Sequence, residues 1–377
     1  MHVSLVTETY PPEINGVALT VQRLARGLRR LGHEVSLVRP RQPAQTDAQG
    51  EFPELLVPGA GLPRYPGLRF GLPALGRLKG YWQARRPDVV YAATEGPLGW
   101  AALRAARQAG IPVATGFHTR FDDYFGHYGL KFLTPLVFAW LRRFHNSAQA
   151  TVVPTRELQD FLLAKGFRDV VLMRRAVDLA QFDPARRDPA LRAQWGLDDG
   201  ALCVLYVGRI APEKNLDLAV RAFRAIAARR PDARFVWVGD GPSRSRLAQD
   251  NPDFLFAGVR HGDDLARHYA SGDLFVFPSL SETFGNVTLE AMASGVATVA
   301  FDYGAAREHI TSTAIGRAVP CDDPEAFVAA AVALATDDEP RRAIGRAGRA
   351  ALDGLDTDSV ARRFAELLQA LTLEEAA

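Results

Sequence analysis

The chain alternates short β-branched runs with stretches whose apolar residues return every three or four positions. In the first half the runs are "HVSLVTE", "EVSLVRP", "DVVYAAT", "IPVATGFH", "ATVVPT" and "DVVLMRR", each with the length and composition of a buried strand. Between them, "VALTVQRLARGLRRLG" sets Leu24, Leu28 and Leu31 at helical spacing and stops at Gly32. The second half repeats the scheme with "LCVLYVGR", "ARFVWVGD", "DFLFAG", "DLFVFPS" and "VATVAFD". Strands that alternate with helices predict parallel sheets covered on both faces, an α/β fold.

The pattern breaks at "DLAQFDPARRDPALRAQWGLDDG", which is rich in Pro, Asp and Arg and places a boundary near residues 174–182. We expect one domain over residues 1–176, a second over 177–355, and an amphipathic helix over 356–377 that packs back on the first, capped by Thr357 or Asp358. A chain of 377 residues is long enough to bury two cores. Doubly wound sheets take ligands beyond the carboxyl ends of their strands, so the site is expected in a cleft between two facing Rossmann-like domains.

Composition narrows the class. Cys203 and Cys321 fall in different elements and form neither a disulfide framework nor a zinc pair, which suits a reducing cytoplasm. The opening "MHVSLVTE" reads as a strand and not as a signal peptide, and no apolar run reaches the ~20 residues a bilayer span needs. The net charge of +2 hides a split: residues 1–176 carry 23 Lys and Arg against 13 Asp and Glu, the rest 22 against 30. A basic half of this kind faces an anionic partner or reflects an Arg-rich composition. It lacks a recognisable nucleic-acid module.

The candidate chemistry lies just after the strands. "TETYPPEINGVALTV" turns at Asn15-Gly16 into a helix opening near Val17, a place where free N–H groups can hold a phosphate, or a plain turn. No G-x-G-x-x-G is present, which argues against a nicotinamide dinucleotide site. "GRIAPEKN" places Arg209 and Lys214 at a strand end, with Glu213 able to orient a cation, and suits a departing diphosphate. "SETFGNVTLEAMASG" sets Glu282 and Glu290 eight positions apart around Phe284-Gly285-Asn286, where a helix begins. Too few acids and histidines converge there for a metal, and two carboxylates along one helix start do not flank a substrate as an acid–base pair does. Two acceptors reading the hydroxyls of a sugar and a ribose fit better. In "TGFHTRFDDYFGHYG", His118 ends a strand, with Asp122, Asp123, Tyr124, His127 and Tyr128 behind it; the two aspartates lack the partners to complete a metal site.

Taken in order, "NGVALTV", "GFHTRF", "GRIAPEKN", "VGDGP", "FAGV", "FVFPSLSETFGNVTLEAMASG" and "RAVP" resemble the retaining GT-B glycosyltransferases of sequence family 4 over nearly the whole chain. The resemblance implies that Glu282 contacts the donor sugar and Glu290 the ribose, and that Arg209 and Lys214 neutralise the diphosphate with Gly16 approaching it. It further implies backbone contacts from Phe284, Gly285, Asn286 and Val287, a nucleobase beside Val259, and His118 near the transferred sugar. No metal or other cofactor is expected, and transfer would retain the anomeric configuration through a front-face, oxocarbenium-like transition state. The segment "FHTRFDDYFGHYGLKFL" looks most like GDP-mannose-dependent α-mannosyltransferases and sulfoquinovosyl-diacylglycerol synthases, which implies a nucleotide-sugar donor and a lipid or glycolipid acceptor. One departure is the single glycine, Gly16, where many relatives carry two. A UDP-sugar donor, a nucleotide-sugar epimerase and an inactive binding protein are the alternatives.

Two basic, aromatic-rich segments, "RYPGLRFGLPALGRLKGYWQARR" and "YGLKFLTPLVFAWLRRFH", read either as core helices with basic outer faces or as interfacial helices. On the second reading Arg64, Arg69, Arg77, Lys79, Arg85 and Arg86 favour anionic headgroups and give a cytoplasmic protein peripheral contact with the inner membrane face.

Overall fold

Every β-branched run quoted above becomes a strand in the computed structural model, which describes residues 1–13, 15–42, 50–61, 69–118, 134–198, 200–280, 282 and 284–374. The chain divides into two units, Met1–Ala176 with Thr357–Ala377, and Val177–Asp356.

In the N-terminal unit the strands are β1 (His2–Val6), β2 (Glu34–Pro40), β3 (Glu54–Val57), β4 (Gly59–Gly61), β5 (Arg69–Gly71), β6 (Val89–Ala92), β7 (Val113–Gly116), β8 (Ala150–Val153) and β9 (Val170–Leu172). Among the described residues seven of them form a sheet in the order β3-β2-β1-β6-β7-β8-β9, while β4 and β5 pair as a separate antiparallel hairpin. All neighbours in the large sheet run parallel; Val3 of β1, for instance, lies between Val35 and Val89. Strand order reverses between β1 and β6, and that reversal is where a doubly wound sheet opens to ligands.

The two-residue period of a strand sends alternate side chains to opposite faces. Val3, Leu5, Val89 and Tyr91 pack with Leu24 and Leu28 of helix Gly16–Arg30 and with Phe364 and Leu368 of the C-terminal helix Thr357–Glu374. Val6, Val90 and Ala92 face the other way, onto Leu78, Trp82 and Leu98 of helices Leu75–Ala84 and Pro97–Gln108. Phe364 and Leu368 are fully buried, each contributing roughly 2 kcal/mol of apolar burial. The C-terminal helix comes so close to helix Gly16–Arg30 that a β-carbon on Gly27 would run into that of Ala361. It starts at Thr357, so Thr357 and Asp358 lie in its first turn and not at the cap; Asp358 pairs with Arg30.

The sequence pattern did not announce β3, β4 or β5. In the stretch read as a core or interfacial helix ending at Arg86, the described residues form the second strand of a hairpin followed by a helix that opens only at Leu75. Arg69 donates to the Gly59 carbonyl, Arg85 pairs with Glu34, and Arg86 donates to the carbonyls of Ala109 and Gly110; Arg64 lies outside the described residues. Three of the six cations named for headgroups are thus engaged within the fold.

The second unit contains β10 (Cys203–Val207), β11 (Arg234–Val238), β12 (Leu255–Gly258), β13 (Leu274–Phe277), β14 (Ala297–Phe301) and β15 (Arg317–Val319), of which β15 was not anticipated. They form a parallel sheet in the order β12-β11-β10-β13-β14-β15, reversing between β10 and β13. Its core is aromatic: Trp237 is fully buried, with ring centroids 4.5 Å from Tyr206 and 4.6 Å from Phe235. No helix among the described residues is long and apolar enough to cross a membrane.

Candidate active site

The reversal of the second sheet brings together loops that are far apart in sequence. After β10 the chain runs through Gly208 and Arg209 into a single 3₁₀ turn, Pro212–Lys214. Asn215, in the left-handed conformation, then redirects it into helix Leu216–Ala227. After β13 it runs through Ser279 to Glu282. The two loops meet where Lys214 Nζ lies 2.5 Å from Glu282 Oε1, an ion pair only 15% and 21% exposed. The hydroxyl of Ser279 donates to the same carboxylate oxygen at 3.0 Å. Arg209, four positions before Glu213 and paired to it at 3.3 Å, holds its guanidinium 62% exposed on the same loop. The result is a cationic rim beside a fixed carboxylate at the mouth of the switch point, suited to a ligand that is anionic at one end and rich in hydroxyls at the other.

Glu282 leads into helix Asn286–Ala293 through Phe284 and Gly285. Gly285 sits at the helix N-cap with φ +89°, a conformation that favours glycine, and leaves the helix start without a side-chain cap. Phe284 buries its ring in the core, 6.0 Å edge-to-face from His309, and its carbonyl accepts from the Ala305 N–H at 2.6 Å. Gly304 (φ +55°) makes that contact possible, since a β-carbon there would stand 2.6 Å from the Phe284 oxygen. Asn286 opens the helix, and Val287 is half-buried against the core. Glu290, one turn further in, is buried and accepts from the Tyr269 hydroxyl at 3.1 Å. Burial, reinforced by Glu290, holds the Tyr269 hydroxyl far above the ordinary phenol range, so it remains a donor. Val259, directly after β12, is 54% exposed.

In the N-terminal unit His118 follows β7 and is buried. The Tyr91 hydroxyl lies 3.0 Å from Nε2, and Arg175 Nη2 lies 3.4 Å from Nδ1. A guanidinium only donates, so Nδ1 accepts and the neutral ring carries its proton on Nε2, toward Tyr91. Burial, with added repulsion from Arg175 and His145, pulls the imidazole down to about 3. His118 is therefore uncharged at neutral pH, with both ring nitrogens engaged. It lines a cavity with Thr20, Arg23, Met173 and Arg174. Gly16 opens the first helix one turn before Thr20, whose hydroxyl donates to the Gly16 carbonyl at 2.6 Å. The helix begins at Gly16 and not at Val17, and the Asn15 side chain accepts the N–H groups of Val17 and Ala18 at 3.1 and 2.9 Å. Two of the donors that a phosphate would use at this helix start are thereby taken.

Glu8, after β1, was not singled out by sequence. It is buried beside the first sheet's reversal, accepting the N–H groups of Gly71 and Leu98, and burial pushes its carboxyl up to about 7. Tyr269, Ser279, Tyr91 and Arg175 also escaped notice. Ser279 lay within the quoted motif, and Arg174-Arg175 satisfy the strand-end rule applied to Arg209, whereas nothing local links Tyr269 to Glu290. Asp122, Asp123, Tyr124, His127 and Tyr128 lie outside the described residues. Among the described residues no three His, Cys, Asp or Glu side chains converge as a metal ion requires.

Residues 14–181 match the domain family described as "Glycosyltransferase Family 4", and residues 201–337 that described as "Glycosyl transferases group 1". A GDP-mannose-dependent alpha-mannosyltransferase of Mycobacterium tuberculosis is 34% identical over 91% of this chain and 90% of its own length. A sulfoquinovosyl transferase of Arabidopsis thaliana is 30% identical over 92% of this chain and 69% of its own. Among solved structures, the sucrose-phosphate synthase of Thermosynechococcus elongatus superposes with a TM-score of 0.80 over 99% of both chains at 19% identity, a likeness of fold alone. With both family segments present in order on two Rossmann-like units, the chain belongs to glycosyltransferase family 4 and is a hexosyltransferase of the GT-B fold.

Proposed function

We propose that the enzyme is a retaining α-mannosyltransferase that takes mannose from GDP-mannose and delivers it to a lipid or glycolipid acceptor. The observation that carries the reading is the Lys214–Glu282 contact across the reversal of the second sheet, with Arg209 on the same loop. The two cations would meet the diphosphate, Glu282 the sugar hydroxyls, and Glu290 with Tyr269 the ribose, while Val259 offers an exposed apolar side chain to the base. Gly285 and Asn286 add backbone donors at the helix start.

In this reaction the bond from the anomeric carbon to the diphosphate breaks, and a bond to the acceptor oxygen forms on the same face. The acceptor's hydroxyl proton passes to the departing diphosphate oxygen. Lys214 and Arg209 stabilise the charge that develops there, so charge neutralisation is assigned to side chains and no metal is invoked. His118, neutral and fixed by Tyr91 and Arg175, shapes the acceptor-side unit without exchanging a proton. The donor assignment draws support from the mycobacterial relative's name, and the lipid acceptor from the resemblance of the segment around His118 to sulfoquinovosyl-diacylglycerol synthases.

Thermal unfolding of the protein with GDP-mannose, UDP-glucose, UDP-sulfoquinovose and ADP-glucose tests the donor. At a hundred times its Kd a true donor adds about 2.7 kcal/mol of apparent stability. A shift with a UDP-sugar and none with GDP-mannose would replace the donor assignment, and release of a free epimer without an acceptor would replace the reaction. NMR of the product's anomeric proton distinguishes retention from inversion.

A further inference from the structure

In the N-terminal unit helices Pro97–Gln108 and Thr134–His145 run beside one another, with Trp100 and Trp140 5.9 Å apart between ring centroids. Trp100, Arg104 and Arg107 occupy one stripe of the first helix, and Leu136, Trp140 and Arg143 the matching stripe of the second, each at steps of four and three residues. Of these, Trp100, Arg104, Arg107, Trp140 and Arg143 line a groove of about 820 Å³ that Pro73 and Leu75 also border. Leu136 is 69% exposed, Trp140 42% and Leu72, next to Pro73, 40%.

Several other arginines of this unit are tied down: Arg26 and Arg29 by Glu51, Arg39 by Glu54, Arg85 by Glu34. Among the described residues no carboxylate pairs with Arg104, Arg107 or Arg143, all three exposed. The indole N–H of Trp100 is buried without an acceptor among the described residues. Three unpaired guanidiniums and an orphan N–H call for an oxyanion. Aliphatic and indole surface at the rim calls for hydrocarbon next to it.

We propose that this groove is an accessory site for an anionic phospholipid at a bilayer surface: the headgroup phosphate is held by Arg104, Arg107 and Arg143, and Leu136, Trp140 and Leu72 enter the acyl boundary. The site supplies the membrane contact that a lipid acceptor requires, and in that sense rests on the lipid-acceptor reading, but it shares no residue with the donor machinery. A soluble polyanion would meet the same cations without using the exposed apolar rim.

The test is co-sedimentation of the full-length protein with phosphatidylcholine vesicles with and without phosphatidylglycerol. The wild type should partition onto the anionic vesicles. Each basic side chain near such a surface contributes about fivefold, so a triple variant Arg104→Gln, Arg107→Gln, Arg143→Gln should lose roughly 100-fold in partition coefficient. Trp140→Ser with Leu136→Ser should also reduce binding, and should do so at high salt, where a purely coulombic contact has already gone. A control triple, Arg246→Gln, Arg342→Gln, Arg346→Gln, removes the same charge from the second unit. Equal loss in both triples, or retention in the groove triple, overturns the proposal. So does binding of heparin or RNA by the wild type without binding to the vesicles. Thermal shifts with GDP-mannose, run on the same preparations, show that the variants are folded and separate the readings: a protein that takes donor but ignores vesicles refutes the groove, and one that binds vesicles but no donor refutes the donor assignment.

Discussion

His118 gives a sharp test of how the N-terminal unit is built. Replacing it with glutamine keeps a neutral hydrogen-bonding side chain and removes the titration. The folded imidazole sits at about 3, against 6.5 for a free one, because it is buried beside Arg175 and His145. Below pH 6.5 the unfolded chain binds a proton that the folded chain refuses, so stability is present above 6.5 and is lost as pH falls toward 3. The full window is worth roughly 5 kcal/mol, and the step from about pH 7.5 to about pH 5.5 roughly 1 kcal/mol. Urea unfolding of wild type and His118→Gln at those two pH values isolates this term from other histidines, such as His2 and His33, that are also lowered. The variant should be less sensitive to acid by about 1 kcal/mol over that step, whatever its stability at neutral pH. Parallel behaviour of the two proteins would refute the buried, neutral ring. A wild-type inflection in kcat/KM between about pH 5 and pH 8 that disappears in His118→Gln would refute it equally.

Three other outcomes follow from the second unit. Lys214→Ala removes the cation paired to Glu282 and should lower kcat/KM by roughly 10- to 100-fold, the worth of one charged hydrogen bond, as measured by donor turnover. Glu290→Gln should weaken GDP-mannose binding about tenfold in calorimetry with kcat little changed, whereas Glu282→Gln should also slow transfer; identical effects on binding alone would remove the division of labour between them. Gly304→Ala must strain φ +55° and press a methyl group onto the Phe284 carbonyl, so it should cost about 3 kcal/mol of stability in denaturant melts and loosen donor binding with it.

How much of this was legible beforehand follows from the range of each interaction. Buried parallel strands read clearly, because β10 and β13 are continuous apolar runs flanked by turn residues. The hairpin of β4 and β5 did not, since Gly59–Gly61 and Arg69–Gly71 are three residues each and carry no alternation to detect. In the site, Arg209, Lys214 and Glu282 were recognisable from motif and position after a strand. Their meeting was not, because it depends on β10 and β13 being neighbours, which no local signal states. The partners that set chemistry are more remote still: Tyr91 reaches His118 across 27 positions, and Tyr269 reaches Glu290 across 21. Of the cations read toward headgroups, Arg69, Arg85 and Arg86 have partners within the fold, whereas Arg104, Arg107 and Arg143, which were not among them, have no carboxylate partner among the described residues.

The C-terminal helix carries a consequence for how the protein is made. Phe364 and Leu368 complete a core whose other walls, from Leu24 to Tyr91, leave the ribosome long before them. Residues 177–356 are synthesised in between, a delay of roughly ten to forty seconds at common elongation speeds. At the end of that time the second unit has every residue it needs, while the first still waits with one apolar face uncovered. Nascent chains should therefore acquire protease resistance in the second unit before the first, reversing the usual order in which domains mature along a polypeptide, and a ribosome stalled before residue 357 should display a sticky, chaperone-accessible N-terminal half.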